Sequence, residues 1–240
     1  MKQFGQTALI LRVLVWAIPV VWFCSFPSSA EAEPFFWHQQ TVTFLGTSFD
    51  QNRQPIGIVG KLGIAFRKQE RQEVLNVSFS SGPGKFSPFT QVAIQSGIVA
   101  AARVAGLDSK TWNIFLKFPD PGVTIYGDSL TAMVSLVVLA MANDNAILLS
   151  RVMTGNVTRD GHIGAVRGIP LKIQAAYAEH IRRVIIPEER FPEDNDWQTP
   201  FLMQISPVNT VFQAYQILTG ANLPLAEKAV GLMAENANEK

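Results

Sequence analysis

A polar segment, Gly127-Asp128-Ser129, stands directly before a nearly uninterrupted apolar run at residues 130–142. Such a segment is most often an ordinary helix cap, because a short oxygen-bearing side chain can accept a hydrogen bond from the first free backbone N–H groups. The alternative is a serine nucleophile at a helix N-terminus, where free amides favour a developing oxyanion. A serine hydroxyl is a weak nucleophile by itself, so the second interpretation requires a base elsewhere in the chain.

Lys172 is the best candidate for that base. It lies in the sequence RGIPLKIQAA, with apolar residues on both sides. Pro170 predicts a helix start, which places Lys172 in the first turn, where the helix dipole disfavours a positive charge. Apolar surroundings and this dipole both lower the pKa of a lysine, toward a neutral amine that can accept a proton. The ordinary alternative is a lysine whose ammonium group reaches solvent along its own apolar stem.

Other residue types offer little alternative chemistry. The three histidines, His38, His162 and His180, show neither a recognisable triad context nor an HxxxH spacing, so a Ser-His-Asp triad and a metal site have little support. The single cysteine, Cys24, lies in the N-terminal apolar segment, which excludes a cysteine nucleophile from the rest of the chain. We therefore expect no metal and no cofactor. The formal charge of +1, from 20 basic and 19 acidic residues, predicts no nucleic-acid partner.

The N-terminal segment has the layout of a secretory signal peptide. Lys2 and Arg12 precede an apolar stretch at 13–26, and Ala30-Glu31-Ala32 is an A-x-A cleavage pattern. We expect residues 1–32 to direct export to the periplasm or cell envelope, which leaves residues 33–240 as the functional domain. The alternative is an uncleaved N-terminal membrane anchor through residues 8–26, although Arg12 and a proline interrupt that stretch.

Alternation and helix signals along the remainder predict a single mixed α/β (α+β) domain. Ser87 followed by Pro88 predicts the start of a helix that ends at Gly106, and Arg159-Asp160-Gly161 predicts a tight hairpin. The predicted strands are 41–49, 55–68, 73–81, 111–118, 147–158, 162–168, 184–187 and 202–208, and the predicted helices are 88–105, 129–142, 169–183 and 209–218.

Residues 152–189 read VMTGNVTRDGHIGAVRGIPLKIQAAYAEHIRRVIIPEE. This segment resembles the C-terminal proteolytic domain of Lon proteases, in which a Thr-Gly hairpin, a Gly-rich turn, a lysine, an Ala-Ala helix and an apolar strand follow one another. Residues 127–131 take the place of that family's Gly-Pro-Ser-Ala-Gly nucleophile motif, and the 43 residues from Ser129 to Lys172 equal the family separation. The resemblance extends over about residues 55–220. The matching positions in the quoted segment are Thr154-Gly155, Gly161, Gly168, Lys172, Ala175-Ala176 and Ile185-Ile186-Pro187.

The resemblance implies a fold like domain 2 of ribosomal protein S5, and a Ser-Lys catalytic dyad. Ser129 would be the nucleophile and Lys172 the general base, with Thr154 orienting the lysine and helix amides near 129–131 holding the oxyanion. It further implies a peptide or unfolded-protein substrate. Because Lon domains assemble into rings, it also implies a homo-oligomer.

Five residues depart from the family pattern. Asp128 replaces the proline before the serine, and its charge opposes oxyanion formation unless the carboxylate points away or caps the helix. Leu130 and Thr131 replace small residues after the serine, so we expect narrower substrate access. Tyr126 stands in place of an aspartate, and Asn156 in place of a glutamate.

Two functions from different classes follow. The first is an ATP-independent serine endopeptidase using Ser129 and Lys172, since the 240 residues contain no G-x-x-x-x-G-K-[ST] sequence and leave no room for an ATPase module. The second is a catalytically inactive Lon-like binding or assembly module of the cell envelope. The departures around Ser129 favour the second, and retention of both dyad residues with Thr154 favours the first.

Overall fold

The computed structural model describes residues 37–69, 73–194 and 198–223. The predicted signal peptide or anchor at 1–32 lies outside the described residues, and so does the boundary at residue 33, so both stay predictions. Within the described part of the chain, no helix combines the length and apolarity needed to cross a membrane.

Four helices and eleven strands are present among the described residues, with short 3-10 turns at Ser109–Thr111 and Pro192–Asp194. The helices are α1 (Pro88–Val104), α2 (Thr131–Ala142), α3 (Ile169–Ala178) and α4 (Val211–Thr219). The strands are β1 (His38–Phe49), β2 (Pro55–Lys68), β3 (Asn76–Phe79), β4 (Lys85–Phe86), β5 (Trp112–Lys117), β6 (Thr124–Ile125), β7 (Arg151–Met153), β8 (Asn156–Val157), β9 (Ile163–Gly164), β10 (Arg183–Pro187) and β11 (Gln204–Val208).

The strands form two main sheets of different character. The larger has the order β1-β2-β5-β3, with antiparallel pairs except for the parallel pair of β3 with β5. The smaller, β11-β10-β7, is entirely parallel, and its middle strand β10 is a short run of buried apolar residues, as expected for a strand covered on both faces. Two minor pairs, β4 with β6 and β8 with β9, complete the pattern. The predicted mixed α/β class is confirmed.

Helix α2 lies at the centre of the main hydrophobic core. All twelve of its residues are buried, and it packs against α1, α4 and β2. The apolar run at 130–142 predicts this burial, because a helix that is apolar around its whole circumference must be covered on every side. The helix begins at Thr131, two residues later than predicted, so Ser129 lies in the turn that precedes it.

A second core lies between α3 and the parallel sheet. Ile169 and Ile173 of α3 pack with Val152 of β7 and Val184 of β10. The opposite side of α3 crosses β2 closely at Gly57, where a Cβ atom would lie 2.0 Å from the carbonyl oxygen of Leu171. Glycine at this position therefore sets how near the lysine-bearing helix comes to the larger sheet.

Three predicted elements near the site are wrong in extent. The strand predicted at 147–158 is two strands, because after Met153 the chain leaves the parallel sheet and bonds to the start of α2 through Gly155. The strand predicted at 162–168 is only β9. The helix predicted at 169–183 ends at Ala178, since His180 has a φ of 57° and the Ile181 N–H bonds back to the Ala176 carbonyl. Such a left-handed termination frees the following residues to form β10.

Replacing Gly57 by alanine should push α3 away from β2. Because the obstructing atom is backbone, we expect Gly57→Ala to lower the free energy of unfolding by about 2 kcal/mol, the usual cost of overpacking. Gly63→Ala in the same strand is the matched control, since its Cβ would meet nothing nearer than 3.6 Å. Urea denaturation of both variants checks this, and equal stabilities would contradict the close approach.

Candidate active site

Ser129 occupies the turn immediately before the N-cap of α2. The N-cap residue is Leu130, and no side chain caps the helix. Ser129 is half-buried, and its hydroxyl makes no hydrogen bond within the described residues. The ordinary cap interpretation therefore accounts for neither Asp128 nor Ser129, and the serine hydroxyl is available for another role.

The turn that carries Ser129 is fastened to the start of α1. The β4–β6 pair brings the two segments together, and Thr90 Oγ1 of α1 donates to the Gly127 carbonyl at 2.9 Å. Gly127 has a φ of 91°, a conformation that glycine adopts without strain. The nucleophile turn is thus positioned by a segment about forty residues earlier in the chain, as well as by the helix that follows it.

Lys172 is buried, with 2% of its surface exposed. It lies in the first turn of α3, whose N-cap Gly168 has a left-handed φ of 74°. Burial lowers the pKa of Lys172 from 10.5 to about 8, and the charges of Asp194 and Asp128 oppose that shift. The amine is therefore partly neutral near neutral pH, which agrees with the direction expected from its apolar neighbours.

Thr154 joins the two dyad candidates. Its hydroxyl accepts a hydrogen bond from Lys172 Nζ at 3.1 Å and donates to the Ser129 carbonyl at 3.2 Å. The Gly155 N–H also donates to the Ser129 carbonyl, at 2.8 Å. The structure therefore brings Ser129, Thr154 and Lys172 together. No hydrogen bond joins Ser129 Oγ to Lys172 Nζ among the described residues.

Backbone amides at the turn divide into two groups. The Thr131 N–H donates to the Asp128 carbonyl at 2.9 Å, so it does not face an approaching oxyanion as expected. The N–H groups of Ser129 and Leu130 have no acceptor within the described residues. These two amides remain as donors for negative charge that develops beside Ser129 Oγ.

The departures from the Lon pattern have defined places in the structure. Asn156 donates through Nδ2 to Asp128 Oδ2 at 2.9 Å, which holds the carboxylate toward β8. Leu130 and Thr131 are 3% and 1% exposed, so their bulk is taken up by the core. The structure therefore does not show the narrowing of substrate access that we expected from these two side chains. Tyr126, in contrast, is 76% exposed.

Asp194 belongs to the site although no sequence signal indicates it. Its carboxylate is 4% exposed and accepts hydrogen bonds from the N–H groups of Gly168, at 3.0 and 3.1 Å, and Ile169, at 3.1 Å. It thus satisfies free amides at the start of α3, where a negative charge is favourable. It lies in a charged stretch that looks like ordinary surface sequence, so only its contacts distinguish it. Elsewhere among the described residues, no group of three potential metal ligands occurs.

Replacing Lys172 by methionine should stabilise the protein below pH 8. The pKa of Lys172 in the folded protein is about 8 against 10.5 for the ordinary side chain, so the folded state bears an unfavourable buried charge at pH 7. Between these two values the unfolded chain holds more protons, so the free energy of unfolding of the wild type rises with pH. We expect Lys172→Met to gain up to about 3 kcal/mol at pH 7, and the gain to vanish near pH 10.5.

Thermal or urea denaturation of Lys172→Met at pH 6 to 10 measures this difference, with the exposed Lys110→Met as control. If the difference in free energy of unfolding between Lys172→Met and wild type did not change with pH, Lys172 would not carry an unfavourable buried charge in the folded protein.

Replacing Asp194 by asparagine should lower the pKa of Lys172 further. Asparagine keeps an oxygen acceptor for the α3 amides but removes the charge that raises the lysine pKa. We also expect the free energy of unfolding to fall by about 1 kcal/mol, as when a cap is weakened. NMR titration of Lys172 measures the pKa, and Asp144→Asn, at an exposed aspartate, is the control. An unchanged lysine pKa would limit Asp194 to a structural role.

Comparison with known proteins gives a consistent family match. The model of the Lon protease (S16) C-terminal proteolytic domain matches residues 90–214, more than half of the chain. The archaeal Lon protease of Methanocaldococcus jannaschii is 27% identical over 137 residues, covering 55% of this chain and 21% of the relative. The Lon protease of Elusimicrobium minutum is 23% identical over 148 residues, covering 62% of this chain and 15% of the relative.

A further relative, Lon protease 2 of Borreliella burgdorferi, is 33% identical over 76 residues, covering 32% of this chain and 10% of the relative. The chain thus matches about a fifth or less of the length of each of these curated relatives. The matched residues 90–214 include Ser129, Thr154, Lys172 and Asp194, together with α2, α3 and all but the first two residues of α1. The resemblance found in the sequence is confirmed, and the chain belongs to the family of Lon protease C-terminal proteolytic domains.

Proposed function

We propose that this chain is a serine peptidase that hydrolyses peptide bonds through Ser129 and Lys172. The observation that carries the proposal is the buried Lys172, with a pKa of about 8, hydrogen-bonded to the threonine that also binds the Ser129 carbonyl. A lysine in this state can accept a proton near neutral pH, which an ordinary lysine cannot. Among the described residues no carboxylate bonds to Lys172 Nζ, so no ion pair offsets the cost of burying its charge.

In the proposed mechanism, neutral Lys172 takes the proton of Ser129 Oγ as the oxygen attacks the peptide carbonyl. The serine hydroxyl has no competing partner among the described residues, so rotation can bring it toward the lysine, with Thr154 fixing the amine. The N–H groups of Ser129 and Leu130 hold the oxyanion. The Lys172 ammonium then protonates the leaving amine, and water hydrolyses the acyl-enzyme by the same proton transfers in reverse order.

The family and the sequence also support proposals for the substrate and the cellular setting. The matched relatives are named Lon proteases, which supports a peptide or loosened protein substrate for this chain. We propose that turnover needs no ATP, since these 240 residues contain no phosphate-binding loop. We also propose export through residues 1–32, or tethering through residues 8–26, and assembly into a homo-oligomer.

A second function, a binding or assembly module without catalysis, is favoured by one observation. Asp128 lies next to the nucleophile, and its carboxylate raises the pKa of Lys172, which works against a neutral amine. In this case the described geometry would serve to hold a peptide rather than to cut it.

Loss of either dyad side chain should abolish hydrolysis. We expect Ser129→Ala and Lys172→Ala each to lower kcat at least about 1000-fold on unfolded casein without ATP, because each residue takes part in the same proton transfer. The exposed Ser78→Ala and Lys110→Ala are controls that should keep full activity. The wild-type kcat/KM should rise with pH and level off above about 8, as Lys172 becomes neutral.

Casein hydrolysis by the full 240-residue chain and by all four variants provides the test. Equal activity in wild type and Ser129→Ala would overturn the proposed mechanism. A folded wild-type protein that binds casein without cutting it would favour the binding module.

A further inference from the structure

A cavity of about 450 Å³ lies between α1 and the β8–β9 hairpin. It is separate from the dyad and plays no part in the mechanism above. Its lining combines apolar side chains with polar and basic ones. The residues used below are Gln95, Ser96, Val99 and Arg103 of α1, Val157 of β8 and Arg159 of the hairpin turn.

The cavity carries positive charge that is not neutralised by an ion pair in the described part of the chain. Arg103 and Arg159 form no salt bridge there, although each is exposed and able to reach a carboxylate. The nearest acidic neighbour in sequence, Asp160, is held by hydrogen bonds with Thr158 and His162. Both lining arginines are thus available, within the described residues, for the paired hydrogen bonds that a guanidinium group forms with a carboxylate.

Arg103 is also preoriented. One of its guanidinium nitrogens donates to the Arg159 carbonyl at 3.1 Å, which fastens the end of α1 to the hairpin turn. Holding the side chain in one geometry reduces the conformational entropy lost when it binds an anion. No other described residue bonds to the remaining N–H groups of Arg103, which can form the paired hydrogen bonds that a carboxylate accepts.

We propose that this cavity binds a carboxylate of the peptide substrate, with an adjoining apolar side chain against Val99 and Val157. The inference rests on the proposed peptidase function and names the substrate class that the site would prefer. A carboxylate can form paired hydrogen bonds with the planar guanidinium groups, and an apolar side chain can pack against the two valines. The same chemistry can come from the C-terminal carboxylate of a chain or from an acidic side chain.

The elements that line the cavity also frame the nucleophile. Val157 directly follows Asn156, which donates to Asp128 beside Ser129. On the other side, α1 packs tightly against the start of α2, since a Cβ at Gly97 would lie 2.2 Å from Thr131 Cγ2. A peptide held in the cavity therefore lies against the same helix and hairpin that position the reacting serine.

Equilibrium binding to the full-length Ser129→Ala protein tests the inference without interference from turnover. Three labelled peptides are compared: one that ends in leucine with a free C-terminal carboxylate, the same peptide amidated, and a variant of the amidated peptide with one internal glutamate. We expect a carboxylate-bearing peptide to bind about tenfold more tightly than the neutral amide, the usual effect of a charge-assisted hydrogen bond. The preference should shrink as salt is raised.

Substitutions then locate the effect. Arg103→Gln and Arg159→Gln should each remove most of the preference, Arg103→Lys should keep part of it, and Lys61→Gln, an equal charge change at an exposed site on β2, should leave it intact. The free-carboxylate and glutamate peptides decide which source of carboxylate is bound.

Equal binding of all three peptides, or a preference that survives both arginine substitutions, overturns the inference. So does a change in oligomeric mass on Arg103→Gln without any change in peptide affinity, which would assign the cavity to contact between copies. Wild-type casein hydrolysis reports separately on the proposed function. Carboxylate-selective binding without hydrolysis would keep the inference and remove the peptidase.

Discussion

The carbonyl oxygen of Ser129 is held by two donors from the end of β7, and the arrangement of the site depends on this contact. Thr154 Oγ1 and the Gly155 N–H both donate to it, while the Gly155 carbonyl accepts from the Ala132 N–H. Because β7 also pairs with β10 in the sheet that supports α3, these bonds connect the nucleophile turn to the lysine-bearing helix. One junction between a strand and a helix therefore sets where Ser129 lies relative to Lys172.

The lysine at this junction is balanced between two opposing effects. Burial favours the neutral amine, whereas Asp194 and Asp128 favour the ammonium ion, and the result is a pKa of about 8. Asp194 also has a structural role, because its carboxylate accepts hydrogen bonds from the backbone N–H groups at the start of α3. Burial alone would lower the pKa further and make the amine a weaker base, whereas stronger acidic contacts would keep the group protonated and unable to accept a proton. A general base for chemistry near neutral pH requires the intermediate state.

Local sequence patterns succeeded where a single segment decides its own structure. Ser87 and Pro88 predicted the start of α1, and the Ser87 side chain accepts from the Thr90 N–H as an N-cap should. The apolar run before Asn143 predicted a fully buried helix. The patterns failed at 147–158, since the alternation continues through Thr154-Gly155 while the Gly155 backbone bonds to Ser129 and Ala132 at the start of α2. They also missed the end of α3, where a left-handed His180 stops a helix that side-chain periodicity would extend.

The sequence by itself determined the family, the fold class and the residue types that could do chemistry, because these depend on order and spacing along the chain. The tertiary structure alone decided that Lys172 is buried, that Thr154 lies between the lysine and the serine turn, and that Asp194 supports α3. These contacts join residues 18, 25 and 26 positions apart, across different strands and helices. Hydrogen bonds and desolvation act through space, so their partners and their effect on a pKa are defined only once the chain has folded.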